Sequence, residues 1–87
     1  MAGMITKDDR RHMIATAETL GWTVSFASGH DAIYFFHINK QGFNDGKDGL
    51  DIYFNRAGDM ITDVYLRTGR MEQPTVRSIV DYLRSNA

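Results

Sequence analysis

The chain has 87 residues, 43% of them hydrophobic, which is enough for one domain with a buried core. Its formal net charge of −1 argues against a strongly basic nucleic-acid-binding protein. The chain contains no cysteine, which excludes disulfides and thiolate metal sites and fits a reducing, cytoplasmic location. No apolar run approaches the roughly 20 residues of a membrane span, so we expect no membrane association. We expect residues 4–87 to form a single domain and residues 1–3 to be a tag remnant or disordered.

The first predicted element is an amphipathic helix over residues 7–20. Thr6 and Asp9 have the spacing of a capping box, in which each side chain hydrogen-bonds the other residue's backbone N–H. Gly21 suits the position just after a helix, where a positive φ is common. Residues 22–27 then alternate between larger apolar and smaller or polar side chains, which predicts a half-buried strand.

Three further strands are predicted after the first. Residues 32–39 are apolar on both faces, as is typical of a central strand, and residues 50–55 alternate clearly. Residues 55–59 are typical of a hairpin turn, and residues 60–67 are predicted to form the fourth strand after it. Between the second and third strands, residues 40–49 contain three glycines and are predicted to form a flexible loop.

A second amphipathic helix is predicted over residues 74–85, after a connection over residues 68–73. Pro74 fits the first helical position, where its missing N–H costs nothing. The order α-β-β-β-β-α predicts an α+β fold with a mainly antiparallel four-stranded sheet. Because both helices have one apolar stripe, we expect both to pack on one sheet face as a two-layer sandwich.

Aromatic side chains are expected on the sheet face opposite the helices. By alternation these residues are Tyr34, Phe36, Tyr53 and Tyr65, and the aliphatic Ile61 is expected on the same face. Tyrosines with their hydroxyl groups in water are common on such faces, but a protein or dimer interface and a stacking platform for nucleotide bases are alternatives. Asp51 and Asp63 fall on the same face and would repel phosphate, which favours protein contact over nucleic acid.

Two other regions are candidate contact surfaces. Phe43, in the predicted loop, is an apolar residue that we expect to be exposed. Basic residues cluster towards the C-terminal end, at Arg67, Arg70, Arg77 and Arg84. They indicate either a solvated helix face, with acidic residues interspersed, or contacts to an anion or phosphate.

The histidines are candidate acid–base groups, because the pKa of an imidazole lies near neutrality. His30 falls in a predicted turn and could act as a general acid or base, but structural or surface roles are expected for both His30 and His37. The histidine spacing does not match a metal site. Residues 44–51 lack the ligand spacing of a calcium loop. No cofactor or catalytic motif is present, which favours a non-enzymatic protein over an enzyme.

Some features nevertheless resemble a family of RNA-cleaving proteins. These features are a helix followed by Gly21-Trp22, the Ser28-Gly29-His30 turn, Tyr34 and His37 on the next strand, and a late Thr75-x-Arg77-Ser78-Ile79 stretch. In these features the chain resembles HicA-type messenger-RNA interferases. The resemblance implies a double-stranded-RNA-binding-domain fold with α-β-β-β-α order. It also implies that His30 is the catalytic histidine. The chain departs from the family in its slight acidity, its added strand and the Asp31 that follows His30.

The residues favour a small interaction module, such as an accessory or inhibitor protein of phage or bacterial type. Its expected contacts with a protein partner are the aromatic face, the loop around Phe43 and the C-terminal arginines. Self-association through the same face is an alternative. The HicA resemblance supplies the other one, an RNA-binding or RNA-cleaving domain that uses His30 and the arginines of the second helix.

Overall fold

The protein is described from a computed structural model that covers residues 4–27 and 31–87, apart from the side chains of residues 45–48. The described residues form two α-helices and one five-stranded antiparallel sheet, which is an α+β fold. The helices are α1 (Lys7–Thr19) and α2 (Val76–Ser85). The strands are β1 (Thr23–Phe26), β2 (Ala32–Ile38), β3 (Asn44–Phe54), β4 (Ile61–Leu66) and β5 (Gly69–Arg70), and they lie in the sheet in chain order.

The start of α1 agrees with the sequence prediction. The Thr6 hydroxyl oxygen accepts a hydrogen bond from the Asp9 backbone N–H at 3.1 Å, and the Asp9 carboxylate accepts one from the Thr6 N–H at 2.9 Å. This capping box satisfies N–H groups that have no partner inside the helix. Gly21, with φ of 92°, occupies the left-handed conformation expected just after the helix.

The start of α2 differs from the prediction, because Pro74 is not its first residue. Thr75 is the N-cap instead, with an extended backbone (φ −128°, ψ 165°), and it forms a capping box with Ser78. The two backbone-to-side-chain bonds of this box measure 2.8 Å and 3.0 Å. The proline therefore precedes the cap, and the helix begins two residues later than expected.

The prediction of a flexible ten-residue loop at residues 40–49 is wrong. A tight turn follows Asn39, whose side-chain oxygen accepts hydrogen bonds from the backbone N–H groups of Gln41 and Phe43 at 3.0 Å and 3.1 Å. Strand β3 then begins at Asn44, which pairs with Ile38 of β2. Glycine and aspartate disfavour strands by themselves, so cross-strand pairing overrides local preference here.

The prediction of four strands is also wrong, because residues 68–73 contain the short strand β5. It pairs with the end of β4 through Tyr65 opposite Arg70 and Leu66 opposite Gly69. Gly69 has φ of 148°, which a residue with a side chain rarely adopts. A two-residue strand is too short to show an alternation pattern.

Ile61 lies in the core and not on the aromatic face, which corrects another expectation. The register between β3 and β4 shifts, so that Tyr53 pairs with Asp63 while Phe54 pairs with Ile61. This irregularity leaves Thr62 as the extra residue of a β-bulge. Strict alternation fails across a bulge, and Ile61 is accordingly only 5% exposed.

One hydrophobic core contains side chains from both helices and from the sheet. From α1 and α2 come Met13, Ala17, Ile79, Val80 and Leu83; from the sheet strands come Ile33, Phe35, Leu50, Ile52, Phe54, Ile61 and Val64. Ile33, Ile52 and Val64 are cross-strand neighbours, so the core follows one set of alternating positions in the sheet. Among the described residues, neither helix has the length and apolar character needed to cross a membrane.

Candidate functional site

Three tyrosines from neighbouring strands pack against one another on the sheet positions that alternate with the core. The rings of Tyr34 on β2 and Tyr53 on β3 have centroids 6.3 Å apart and meet edge to face at 76°. The rings of Tyr53 and Tyr65 on β4 lie 5.6 Å apart at 82°. Such edge-to-face pairs are favourable because the positive edge of one ring meets the negative face of the other. We call these residues, together with Phe36 and Asp51, the tyrosine face.

Asp51 occupies the middle of the tyrosine face. It pairs with Tyr34 across to β2 and with Tyr65 across to β4, while Tyr53 follows it two residues along the same strand. Directly opposed side chains in an antiparallel sheet have Cβ atoms about 5 Å apart. Asp51 therefore has a tyrosine as its direct neighbour on each adjoining strand and a third on its own strand.

The surroundings of Asp51 disfavour its charge. Partial burial raises the pKa of this carboxyl above its ordinary value. The pKa of the Tyr53 hydroxyl is also raised, first by partial burial and then by Tyr34, Asp51 and Tyr65, which oppose a phenolate or favour the protonated phenol. Among the described side chains, no cation forms an ion pair with Asp51.

The other acidic residue of this region does have a cationic partner. The Arg70 guanidinium on β5 forms an ion pair with the carboxylate of Asp63 on β4. Arg70 also pairs with Tyr65 in the sheet register, so it borders the tyrosine face at its β5 side. At the opposite side, Phe36 lies half-buried between Thr23 of β1 and Gly49 of β3.

The remaining predicted contact residues lie elsewhere. Phe43 is 71% exposed, as expected, and lies in the turn that joins β2 and β3. Arg77 and Arg84 are exposed near the two ends of α2. Arg84 borders a shallow groove with residues of α1, among them Thr16 and Thr19. The structure therefore brings Arg70 to the tyrosines but leaves the two helix arginines apart from them.

His37 has a structural position. Its ring centroid is 3.9 Å from that of Trp22, and its Nε2 atom is 2.9 Å from the backbone oxygen of Asn86. The Trp22 indole N–H donates to the carbonyl oxygen of Leu83 at 3.0 Å. Both rings thus contact the C-terminal end of α2, where carbonyl groups lack partners inside the helix. His30 lies outside the described residues.

Within the part of the chain that is described, no group of three acidic or histidine side chains is arranged to hold a metal ion. The feature that sequence reasoning missed is the position of Asp51 among the tyrosines. Alternation put Asp51 and Tyr53 on the same face, but the neighbours of Asp51 follow only from the register of three strands.

No protein-family model, no curated protein and no solved structure matches this chain.

Proposed function

We propose that the protein is a small non-enzymatic interaction module that binds a protein partner through the tyrosine face. In this proposal both helices cover one side of the sheet, as a two-layer sandwich, and leave the tyrosines on the open side. The observation that carries it is the packed set of Tyr34, Tyr53 and Tyr65, of which Tyr65 is 45% exposed. Tyrosine is enriched in protein interfaces because it combines a large apolar ring with a hydrogen-bonding hydroxyl.

The charges of the tyrosine face favour a protein over RNA. Asp51 and Asp63 lie at this surface, and only Asp63 has a cationic partner among the described side chains. A surface that binds RNA gains most of its affinity from cations placed against phosphates. The helix residues Arg77 and Arg84 are not gathered with the tyrosines, so they add no such cations to the stacking surface.

The proposed biological setting is the cytoplasm, where the module would act as an accessory or inhibitor protein of a phage or bacterium. The absence of cysteine supports a reducing compartment. Two competing outcomes follow from the sequence. One is self-association through the same face, and the other is the RNA binding or cleavage that the HicA resemblance implies for His30.

The test is a capture experiment from bacterial lysate with the tagged domain, with and without nuclease. Three baits are compared: the wild type, the double variant Tyr53→Ser/Tyr65→Ser, and Phe26→Ser. Phe26 is the matched control because it is an exposed aromatic residue, 52% accessible, at a sheet position outside the tyrosine face. We expect one defined protein that withstands nuclease, is retained by the wild type and Phe26→Ser, and is lost by the double variant.

Other results would contradict the proposal. Equal capture by the double variant would exclude the tyrosine face as the binding surface. Retained RNA, or capture that nuclease abolishes, would favour the RNA alternative, and His30→Ala should then remove any cleavage. Retention of the chain itself, with no other protein, would indicate self-association.

A further inference from the structure

We propose that Asp51 receives an arginine side chain of the protein partner, with the guanidinium seated between Tyr34 and Tyr65. This inference rests on the proposed function, since it identifies the chemistry by which the tyrosine face recognises its partner. Its basis is geometric: Asp51 lies directly between Tyr34 and Tyr65 in the sheet register, and the ring of Tyr53, two residues along the same strand, packs against the rings of both.

Among the described side chains, no positively charged group pairs with the Asp51 carboxylate. A half-buried carboxylate is costly unless a positive charge or hydrogen-bond donors compensate for the lost water. No described cation pairs with Asp51, and partial burial raises the pKa of its carboxyl. A partner that brings a cation to Asp51 would therefore remove an unfavourable feature of the free surface.

The tyrosine rings favour the same kind of group. The faces of aromatic rings attract cations because their π-electrons form a negative surface, and cages of such rings bind organic cations. Tyr34 and Tyr65 flank Asp51 from the two neighbouring strands, and Tyr53 lies two residues along the same strand with its ring packed against both of theirs. The rings and the carboxylate therefore select for one positive charge on an organic group.

Arginine fits this surface better than lysine. Its guanidinium is planar, stacks on aromatic rings, pairs with a carboxylate through two parallel hydrogen bonds and is less strongly hydrated than an ammonium group. The chain itself uses both arrangements. The guanidinium carbon of Arg10 lies 4.3 Å from the centroid of the Phe54 ring, and Arg70 pairs with Asp63 beside the tyrosine face.

The first test uses two small probes of nearly the same shape, one cationic and one neutral. N-acetyl-arginine methylamide and its neutral isostere, N-acetyl-citrulline methylamide, are titrated into protein carrying ¹³C-labelled tyrosine rings. We expect saturable shifts of the Tyr34, Tyr53 and Tyr65 ring signals with the arginine probe and at least about tenfold weaker binding of the citrulline probe. Asp51→Asn should remove most of that difference and leave only the part that the attraction between the rings and the cation supplies.

Asp63→Asn is the matched control, because it removes the other carboxylate of this surface, which Arg70 already pairs with. It should leave the preference for the arginine probe unchanged. Equal shifts with both probes, or no shift of the tyrosine rings, would overturn the inference. The same shifts on raising the protein concentration without any probe would assign the site to a second copy of the chain and would also overturn it.

The second test separates this inference from the proposed function. The affinity of the captured partner is measured for wild type, Asp51→Asn and Tyr53→Ser/Tyr65→Ser. We expect Asp51→Asn to weaken binding about tenfold and the double tyrosine variant to weaken it further. If Asp51→Asn binds as the wild type does while the double variant fails, the binding face stands and the arginine contact is wrong. If the double variant binds normally, the proposed function itself is wrong.

Discussion

At the scale of single residues, Asp51 is the group whose environment suits it least in the free protein. It is half-buried at a sheet position between Tyr34 and Tyr65, and the burial raises the pKa of its carboxyl above the ordinary value of 3.8. The titratable and charged groups near it are the neutral Tyr53 hydroxyl on its own strand and the Asp63–Arg70 pair on β4 and β5. Folding therefore favours the protonated form of Asp51.

This shift makes a prediction about stability and pH. Between the unfolded pKa and the raised folded pKa, the folded state binds more protons, so the free energy of unfolding falls as pH rises through that window. Asp51→Asn removes this loss. We expect the variant to match the wild type below about pH 2.5, where Asp51 is protonated in both the folded and the unfolded state, and to be more stable than it at neutral pH.

Urea denaturation of both proteins across the pH range measures this difference, with Asp63→Asn as the control for removing a carboxylate from the same surface. A variant that is less stable than the wild type at neutral pH would show that Asp51 is compensated in the free protein. A difference that does not change with pH would show that it does not arise from ionisation.

At the scale of secondary-structure elements, the capping of α2 determines where the chain leaves the sheet. Thr75 accepts a hydrogen bond from the Ser78 backbone N–H at 3.0 Å, and the Ser78 hydroxyl accepts one from the Thr75 N–H at 2.8 Å. The helix has no acidic residue in its first turn, so no side-chain charge stabilises its N-terminal dipole. The capping box is therefore the main local interaction that fixes this end.

Replacing the cap should destabilise the fold measurably. We expect Thr75→Ala to lower the free energy of unfolding by about 1 kcal/mol, within the range of about 0.5–2 kcal/mol found for loss of an N-cap. Thr68→Ala is the control, because Thr68 is an exposed turn residue, and its effect should stay within about 0.5 kcal/mol. Chemical denaturation measures both, and equal effects would contradict a special role for the cap.

The same elements show which parts of the fold were predictable from sequence. The α1 capping box and the apolar helix stripes follow from local spacing alone, and both helices were found. The sequence predicts the third strand only over residues 50–55, whereas β3 begins at Asn44. The first residues of β3 have a low preference for strands, and they belong to the sheet because they pair with β2. The fifth strand and the bulge at Thr62 depend on pairing geometry, which alternation does not encode.

The candidate site was predictable to a similar extent. Alternation correctly put Tyr53 and Tyr65 on one face and was wrong for Ile61, which the bulge turns into the core. The central position of Asp51 was not predictable, because it requires knowing which residues of β2 and β4 lie opposite it. Sequence periodicity identifies a face, whereas the register between strands identifies neighbours.

At the scale of the whole molecule, the fold must tolerate changes to the tyrosine face if binding experiments are to be interpretable. Tyr53→Ser/Tyr65→Ser removes two edge-to-face contacts, each worth about 0.5–1.5 kcal/mol beyond burial. Domains are usually stable by about 5–15 kcal/mol, and the core residues are untouched. We therefore expect the double variant to remain folded, with wild-type circular dichroism.

The most direct measurement is the solvent exposure of the aromatic rings, by NMR relaxation with a soluble gadolinium chelate, before and after the captured partner is added. In the free protein we expect strong relaxation at Tyr65, which is 45% exposed, and little at Phe35, which is 1% exposed. The partner should protect Tyr65 and leave the exposed Phe26 unchanged. A Tyr65 ring already protected in the free protein, or one that stays exposed in the complex, would contradict an open face that binds a protein.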